Sequence, residues 1–97
     1  MAYFAVHYTY ADQPSELDRV RPDHRDFLGR LAEQGVVVAS GPYLGATPAS
    51  ALLIMRAVDA ETLATTLNQD PFWSAGLIAE RELTEWNPVI GILAGSI

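Results

Sequence analysis

One histidine and one aspartate are the residues of this chain best suited to acid/base chemistry. His24 lies on an apolar stripe with the i, i+3, i+4, i+7 spacing that turns one helix face toward a core, and the stripe continues through Phe27, Leu28 and Leu31. This spacing predicts an inward-facing imidazole. Asp70 follows a second predicted helix, and an imidazole beside a carboxylate is the usual composition of a proton-transfer pair. We therefore take His24 and Asp70 as the candidate catalytic residues.

Each candidate also has a purely structural explanation. A buried histidine often bonds a backbone carbonyl, and an Asp-Pro pair such as Asp70-Pro71 is typical of a helix N-cap followed by a first-turn proline. Arg21 is either a solvated surface charge or an anion clamp for a carboxylate or phenolate. His7 occupies the less apolar face of a strand, where a subunit interface is a better prediction than catalysis. We keep it only as a weaker candidate for ligand contact.

Four further residues are candidates for ligand contact: Ser40, Gly41, Pro42 and Phe72. Ser40 offers a hydroxyl before the Gly-Pro pair, although a small residue there is also ordinary turn chemistry. Phe72 belongs to a set of aromatic residues that line either a pocket or the core. Two histidines on different elements make a poor metal site, and the sequence has no phosphate-binding glycine loop or dinucleotide fingerprint. We predict neither a metal nor a cofactor.

The hydrophobic pattern predicts six elements that must position these residues, in the order strand, helix, strand, strand, helix, strand: residues 3–10, 22–34, 36–39, 51–55, 60–67 and 78–86. Pro22 is expected to start the continuous part of the first helix, and Asp59 is expected to cap the second. The two middle strands are unbroken apolar runs, which indicates cover on both faces. An apolar tail at 89–94 must also be buried.

This order predicts an α+β fold, the ferredoxin-like split βαβ arrangement, as a single domain over residues 1–97. Both helices cover one face of the antiparallel sheet, so the open face predicts a second copy that packs sheet to sheet as a homodimer. In this topology His24, the Ser40-Gly41-Pro42 segment and Asp70 all lie at one end of the sheet, where an apolar-walled pocket for a small organic molecule is expected.

Composition excludes several classes of function. The net charge is -6, and all six basic residues are arginines, so a phosphate-tracking surface and a nucleic-acid partner are not expected. The chain has no cysteine, which removes disulfides, thiolate metal sites and thiol nucleophiles. No apolar run reaches the roughly 18 residues that a membrane span needs, and no signal peptide is evident. We expect a cytoplasmic protein with no membrane partner.

The same residues resemble the YciI-like (YCII-related) family over nearly the whole chain: Arg21-x-x-His24, residues 28–35, Ser40-Gly41-Pro42, Asp70-Pro71-Phe72 and Ala75-Gly76. The resemblance implies a ferredoxin-like dimeric α/β barrel, similar in architecture to muconolactone isomerases. It also implies a His-Asp active pair at His24 and Asp70. Members with an assigned reaction include a dehydrochlorinase that acts on a chlorinated hydroxyquinol.

Three hypotheses about function follow. The leading one is a cofactor-free enzyme for a small aromatic or cyclic substrate, in which His24 moves a proton and Asp70 orients it during an elimination or isomerisation. The alternative is a non-catalytic dimeric module that binds a small ligand or supports a partner, with a structural His-Asp pair. The third, single-stranded RNA binding on an aromatic sheet face, is suggested by Tyr3 and opposed by the acidic charge.

Overall fold

The six predicted elements follow one another in the predicted order, and a short third helix is inserted before the last strand. The computed structural model describes residues 1–96 and contains β1 (Ala2–Tyr10), α1 (Pro14–Glu33), β2 (Val37–Pro42), β3 (Ser50–Ala57), α2 (Ala60–Leu67), α3 (Pro71–Ser74) and β4 (Ile78–Trp86). The strands form one antiparallel sheet in the order β2-β3-β1-β4. This is the ferredoxin-like arrangement, and the α+β prediction is confirmed.

The central strands, β1 and β3, each have two faces that differ in burial. On β1, Val6 and Tyr8 are fully buried on the face that carries the helices, and Met55 of β3 is buried beside them. On the other face, hereafter the open face, Leu52 and Ile54 of β3 are only partly buried. The sequence predicts cover on both faces of β2 and β3, but the chain covers only one face of β3. Strand β2 lies at the sheet edge and is exposed beyond Val37.

Helix α1 begins earlier than the sequence predicts. It starts at Pro14 rather than Pro22, which lies inside the helix, and the N-cap Gln13 makes no side-chain capping bond. Leu17 and Val20 extend the buried stripe that leads to His24. Their burial stabilises the extra two turns enough to offset the backbone hydrogen bond that the internal proline removes, a loss of roughly 3 kcal/mol. His24 consequently sits near the middle of α1 and not at its start.

Two further predictions need correction, one about the end of β2 and one about the C-terminal segment. Ser40, Gly41 and Pro42 do not form a turn but continue β2, because they pair with residues of β3 along the sheet edge. The apolar tail at 89–94 is not buried within the chain: Val89, Ile90 and Ile92 are largely exposed, and the segment returns only far enough for Ser96 to contact β1. None of the helices described within residues 1–96 combines the length and apolarity needed to cross a membrane.

Candidate active site

His24 and Asp70 meet in the interior of the fold although 46 positions separate them in sequence. The Nδ1 atom of His24 lies 2.8 Å from Oδ1 and 2.9 Å from Oδ2 of Asp70. The aspartate is fully buried and the histidine is 7% exposed, so water does not compete for this interaction. The contact also connects the middle of α1 to the start of α3.

Local structure holds the carboxylate in place from two other directions. Asp70 is the N-cap of α3, and its Oδ1 accepts a hydrogen bond of 2.9 Å from the backbone N–H of Phe72. Its Oδ2 lies 3.4 Å from the hydroxyl of Tyr8, which donates to it from β1. The helix-cap role expected for an Asp-Pro pair and the contact with His24 therefore coexist in the same side chain.

These bonds determine which nitrogen of His24 carries the proton. Asp70 accepts from both Phe72 and Tyr8, and an ionised carboxylate can only accept, so Nδ1 of His24 must donate to it. In the neutral ring the unprotonated nitrogen is then Nε2, which has no hydrogen-bond partner within residues 1–96 and is not sealed from solvent. Nε2 is thus the ring atom available to accept a proton.

Phe72 fixes the plane of this imidazole. The two rings stack with centroids 4.0 Å apart and an interplanar angle of 14°, while Tyr10 meets Phe72 edge-on at 5.5 Å. Because Phe72 also donates its backbone N–H to Asp70, one residue positions both members of the pair. The ring of His24 is therefore restrained by a carboxylate along one edge and by an aromatic face.

A cleft of about 830 Å³ opens beside His24, between α1 and the edge formed by β2 and the β2–β3 connection. This volume is within the range of roughly 300–1,000 Å³ typical of small-molecule sites. Of the residues predicted to contact a ligand, five line this cleft: Arg21, Ser40, Gly41, Pro42 and Phe72. His7 does not, because strand alternation places it on the open face of β1, where its ring lies 5.6 Å from that of Tyr43.

Two arginines of α1 line the same cleft and give it a positive character. Arg21 pairs with Asp18 one turn earlier and is 37% exposed at its side chain, and Arg25 follows at the i+4 position. Arg25 was not among the residues predicted from the sequence, although the i, i+4 spacing from Arg21 on a continuous helix places both side chains on one face. In a chain of net charge -6, this local concentration of cations favours an anionic ligand.

The tyrosines beside the pair are not bases at neutral pH. Burial raises the pKa of Tyr10 to about 12, with the carboxylate of Asp70 acting in the same direction and Arg21 opposing it. Burial also raises the pKa of Tyr8, again with Asp70 acting in the same direction. Both phenols stay protonated at neutral pH. Within residues 1–96, no group of three or more potential metal ligands converges here or elsewhere.

Comparison with solved structures identifies proteins of the same fold. The chain superposes with a TM-score of 0.66 and 25% identity on 5-chloro-2-hydroxyhydroquinone dehydrochlorinase from Burkholderia phenoliruptrix AC1100 in complex with 2,5-dihydroxybenzoquinone, covering 88% of this chain and 93% of that one. An uncharacterised NIPSNAP domain protein from Burkholderia xenovorans gives a TM-score of 0.56 at 16% identity, over 91% and 94% of the two chains.

A third similar structure is a putative antibiotic biosynthesis monooxygenase from Bacteroides thetaiotaomicron, with a TM-score of 0.57 at 12% identity, over 92% of this chain and 90% of that one. The second and third likenesses show the fold alone. No curated protein sequence matches the chain. The family model for the YCII-related domain matches residues 1–87, and the chain therefore belongs to the YCII-related domain family.

Proposed function

We propose that this protein is a cofactor-free enzyme that transfers a proton on a small, anionic aromatic or cyclic substrate. The observation that carries the proposal is the arrangement of His24, which lines the cleft, has its Nδ1 bound to the buried carboxylate of Asp70 and has no partner for Nε2 among residues 1–96. A carboxylate in this position keeps the ring in one tautomer and stabilises the imidazolium that forms when Nε2 takes a proton.

The chemistry that fits this arrangement is elimination or isomerisation. In an elimination, Nε2 of His24 removes a proton from the substrate, the released electron pair forms a new π bond, and a leaving group departs with its bonding electrons. In an isomerisation, the same imidazolium returns the proton to a different atom of the substrate. Arg21 and Arg25 would hold the substrate's negative charge, since a guanidinium pairs well with a phenolate or carboxylate.

The dehydrochlorinase of the same fold supports this substrate class. It acts on a chlorinated hydroxyhydroquinone and has been solved with a dihydroxybenzoquinone. Both compounds are small rings with acidic hydroxyl groups, which is the chemistry that two arginines and an imidazole would recognise. We therefore propose hydroxylated quinones and halogenated hydroquinones as the first substrates to assay.

The test is release of halide from a panel of halogenated hydroquinones by wild type, His24→Gln and His7→Gln. The two variants remove the two imidazoles of the chain, one in the cleft and one on the open face. Loss of general acid/base catalysis predicts a fall in kcat of about 10²-fold or more for His24→Gln and little change for His7→Gln. Equal turnover in wild type and His24→Gln would refute the proposed role of His24.

A second candidate function is a non-catalytic module that binds a small ligand. It is favoured by one observation: Asp70 caps α3 and also joins α3 to α1 through His24, so the pair has a structural task. In this case His24→Gln would lower stability, and the protein would bind quinones without converting them.

We also propose that two copies associate through the open face of the sheet. Its centre carries Ala5, Leu52 and Ile54, which the chain leaves only partly covered. A second sheet packed on this face would bury these side chains and place His7 at the interface.

A further inference from the structure

A second cavity adjoins the candidate active-site cleft. It has a volume of about 400 Å³ and lies between the β1–α1 connection and residues 46–49. The two cavities share four wall residues, Tyr10, Leu17, Ala46 and Ala49. The two cavities therefore adjoin each other, and we name the one that contains His24 the first lobe and its neighbour the second lobe.

The two lobes differ in charge and polarity. The first lobe contains Arg21 and Arg25 next to His24. The second lobe is walled mainly by carbon, from residues such as Ala11, Pro14 and Pro48, and its charged residue is the acidic Asp12. An anionic group is attracted to the first lobe and repelled from the second, so an elongated ligand has one favoured orientation.

We propose that the second lobe binds an uncharged, apolar substituent carried by the ring that reacts at His24. The substrate is then an anionic hydroxylated ring with an alkyl or aryl side chain of several carbons, rather than a bare ring. This inference rests on the proposed function, because the ring's place beside His24 and the two arginines comes from it. The four shared wall residues are what bring the second lobe next to the reacting ring.

The experiment measures binding of 2,5-dihydroxy-1,4-benzoquinone and its 3-propyl, 3-pentyl and 3-heptyl homologues by titration calorimetry. Burial of each methylene is expected to tighten binding roughly fourfold until the second lobe is full. Ala11→Phe blocks the second lobe without touching the first, since Ala11 lines only the second. Ala32→Phe is the matched control, because it adds the same ring at an exposed position of α1 that lines neither lobe.

Two alanine methyl groups report where the ligand lies. Ala51 lines only the first lobe and Ala11 only the second, so methyl NMR separates the two positions. The unsubstituted quinone should shift the Ala51 signal alone, and the alkyl homologues should shift both. Retained binding of the unsubstituted quinone by Ala11→Phe would show that this variant is folded.

The possible outcomes separate the inference from the function on which it rests. Affinity that rises with chain length in wild type and Ala32→Phe, but not in Ala11→Phe, supports the inference. If the bare quinone binds and longer chains add nothing, or if their gain survives Ala11→Phe, the inference is wrong and the proposed function stands. If the bare quinone does not bind wild type, the ring's place in the first lobe is refuted, and the inference with it.

Discussion

Replacing His24 with alanine should lower the free energy of unfolding far more than removal of a partly exposed side chain usually does. The change removes a charge-assisted hydrogen bond to Asp70, worth about 1.5–3 kcal/mol, and a stacked contact with Phe72, worth about 0.5–1.5 kcal/mol. It also leaves a fully buried carboxylate without its histidine partner. Breaking a buried pair in this way costs about 3–5 kcal/mol, a large share of the about 5–15 kcal/mol that stabilises a domain of this kind.

A second substitution tests the cause of this loss. Asp70→Asn removes the buried charge but keeps an oxygen that can accept from the backbone N–H of Phe72. In the His24→Ala background it should therefore do little harm or recover part of the loss. The double variant is expected to be about 1–3 kcal/mol more stable than the sum of the two single changes predicts.

Urea unfolding followed by fluorescence of Trp73 and Trp86 measures these free energies, with protein concentration held fixed because association would shift the midpoint. His7→Ala is the control, since it removes the other imidazole from the open face and should cost less than His24→Ala. If His24→Ala costs only about 1 kcal/mol and the two changes are additive, the pair is not formed as described.

Two further predictions concern the open face and the buried phenols. Ile54→Glu places a charge at the centre of the open face, so the mass measured by light scattering should fall from that of an associated species to that of a monomer. The control Thr65→Glu, on the exposed side of α2, should leave the mass unchanged. An unchanged mass for Ile54→Glu would contradict the proposed interface. Stability should fall as pH rises from about 10, the ordinary pKa of an unfolded tyrosine, to about 12, the pKa of Tyr10 in the folded protein. The reason is that the folded state holds the Tyr10 proton more tightly than the unfolded state, so the fall should be smaller in Tyr10→Phe. Equal pH profiles of the two proteins would show that Tyr10 does not contribute.

The parts of the fold that follow from short-range periodicity could be predicted from the sequence. Alternation in β1 identified its two faces, and the helical spacing around His24 identified an inward imidazole. Asp59 was identified as the cap of α2, and its carboxylate accepts from the backbone N–H of Thr62. In each case one local rule and the tertiary packing favour the same conformation.

The sequence was less informative where local and tertiary preferences conflict. Local rules place a helix start at Pro22, but the burial of Leu17 and Val20 lets the helix begin earlier and continue through this proline. The earlier start places Arg21 within the helix. Local rules also assign the Gly41-Pro42 pair to a turn, whereas pairing with β3 keeps it in an edge strand. The contact between Tyr8 and Asp70 depends on how β1 and the start of α3 meet, and no spacing in the sequence encodes it.

The central claim is that Asp70 fixes the tautomer of His24 so that Nε2 faces the cleft as the basic nitrogen. Long-range ¹H–¹⁵N NMR of the neutral imidazole measures this directly, in wild type and in Asp70→Ala. We expect a proton on Nδ1 and an unprotonated Nε2 in wild type, and loss of that preference in Asp70→Ala. A wild-type His24 ring with its proton on Nε2 would contradict the proposed role of Asp70.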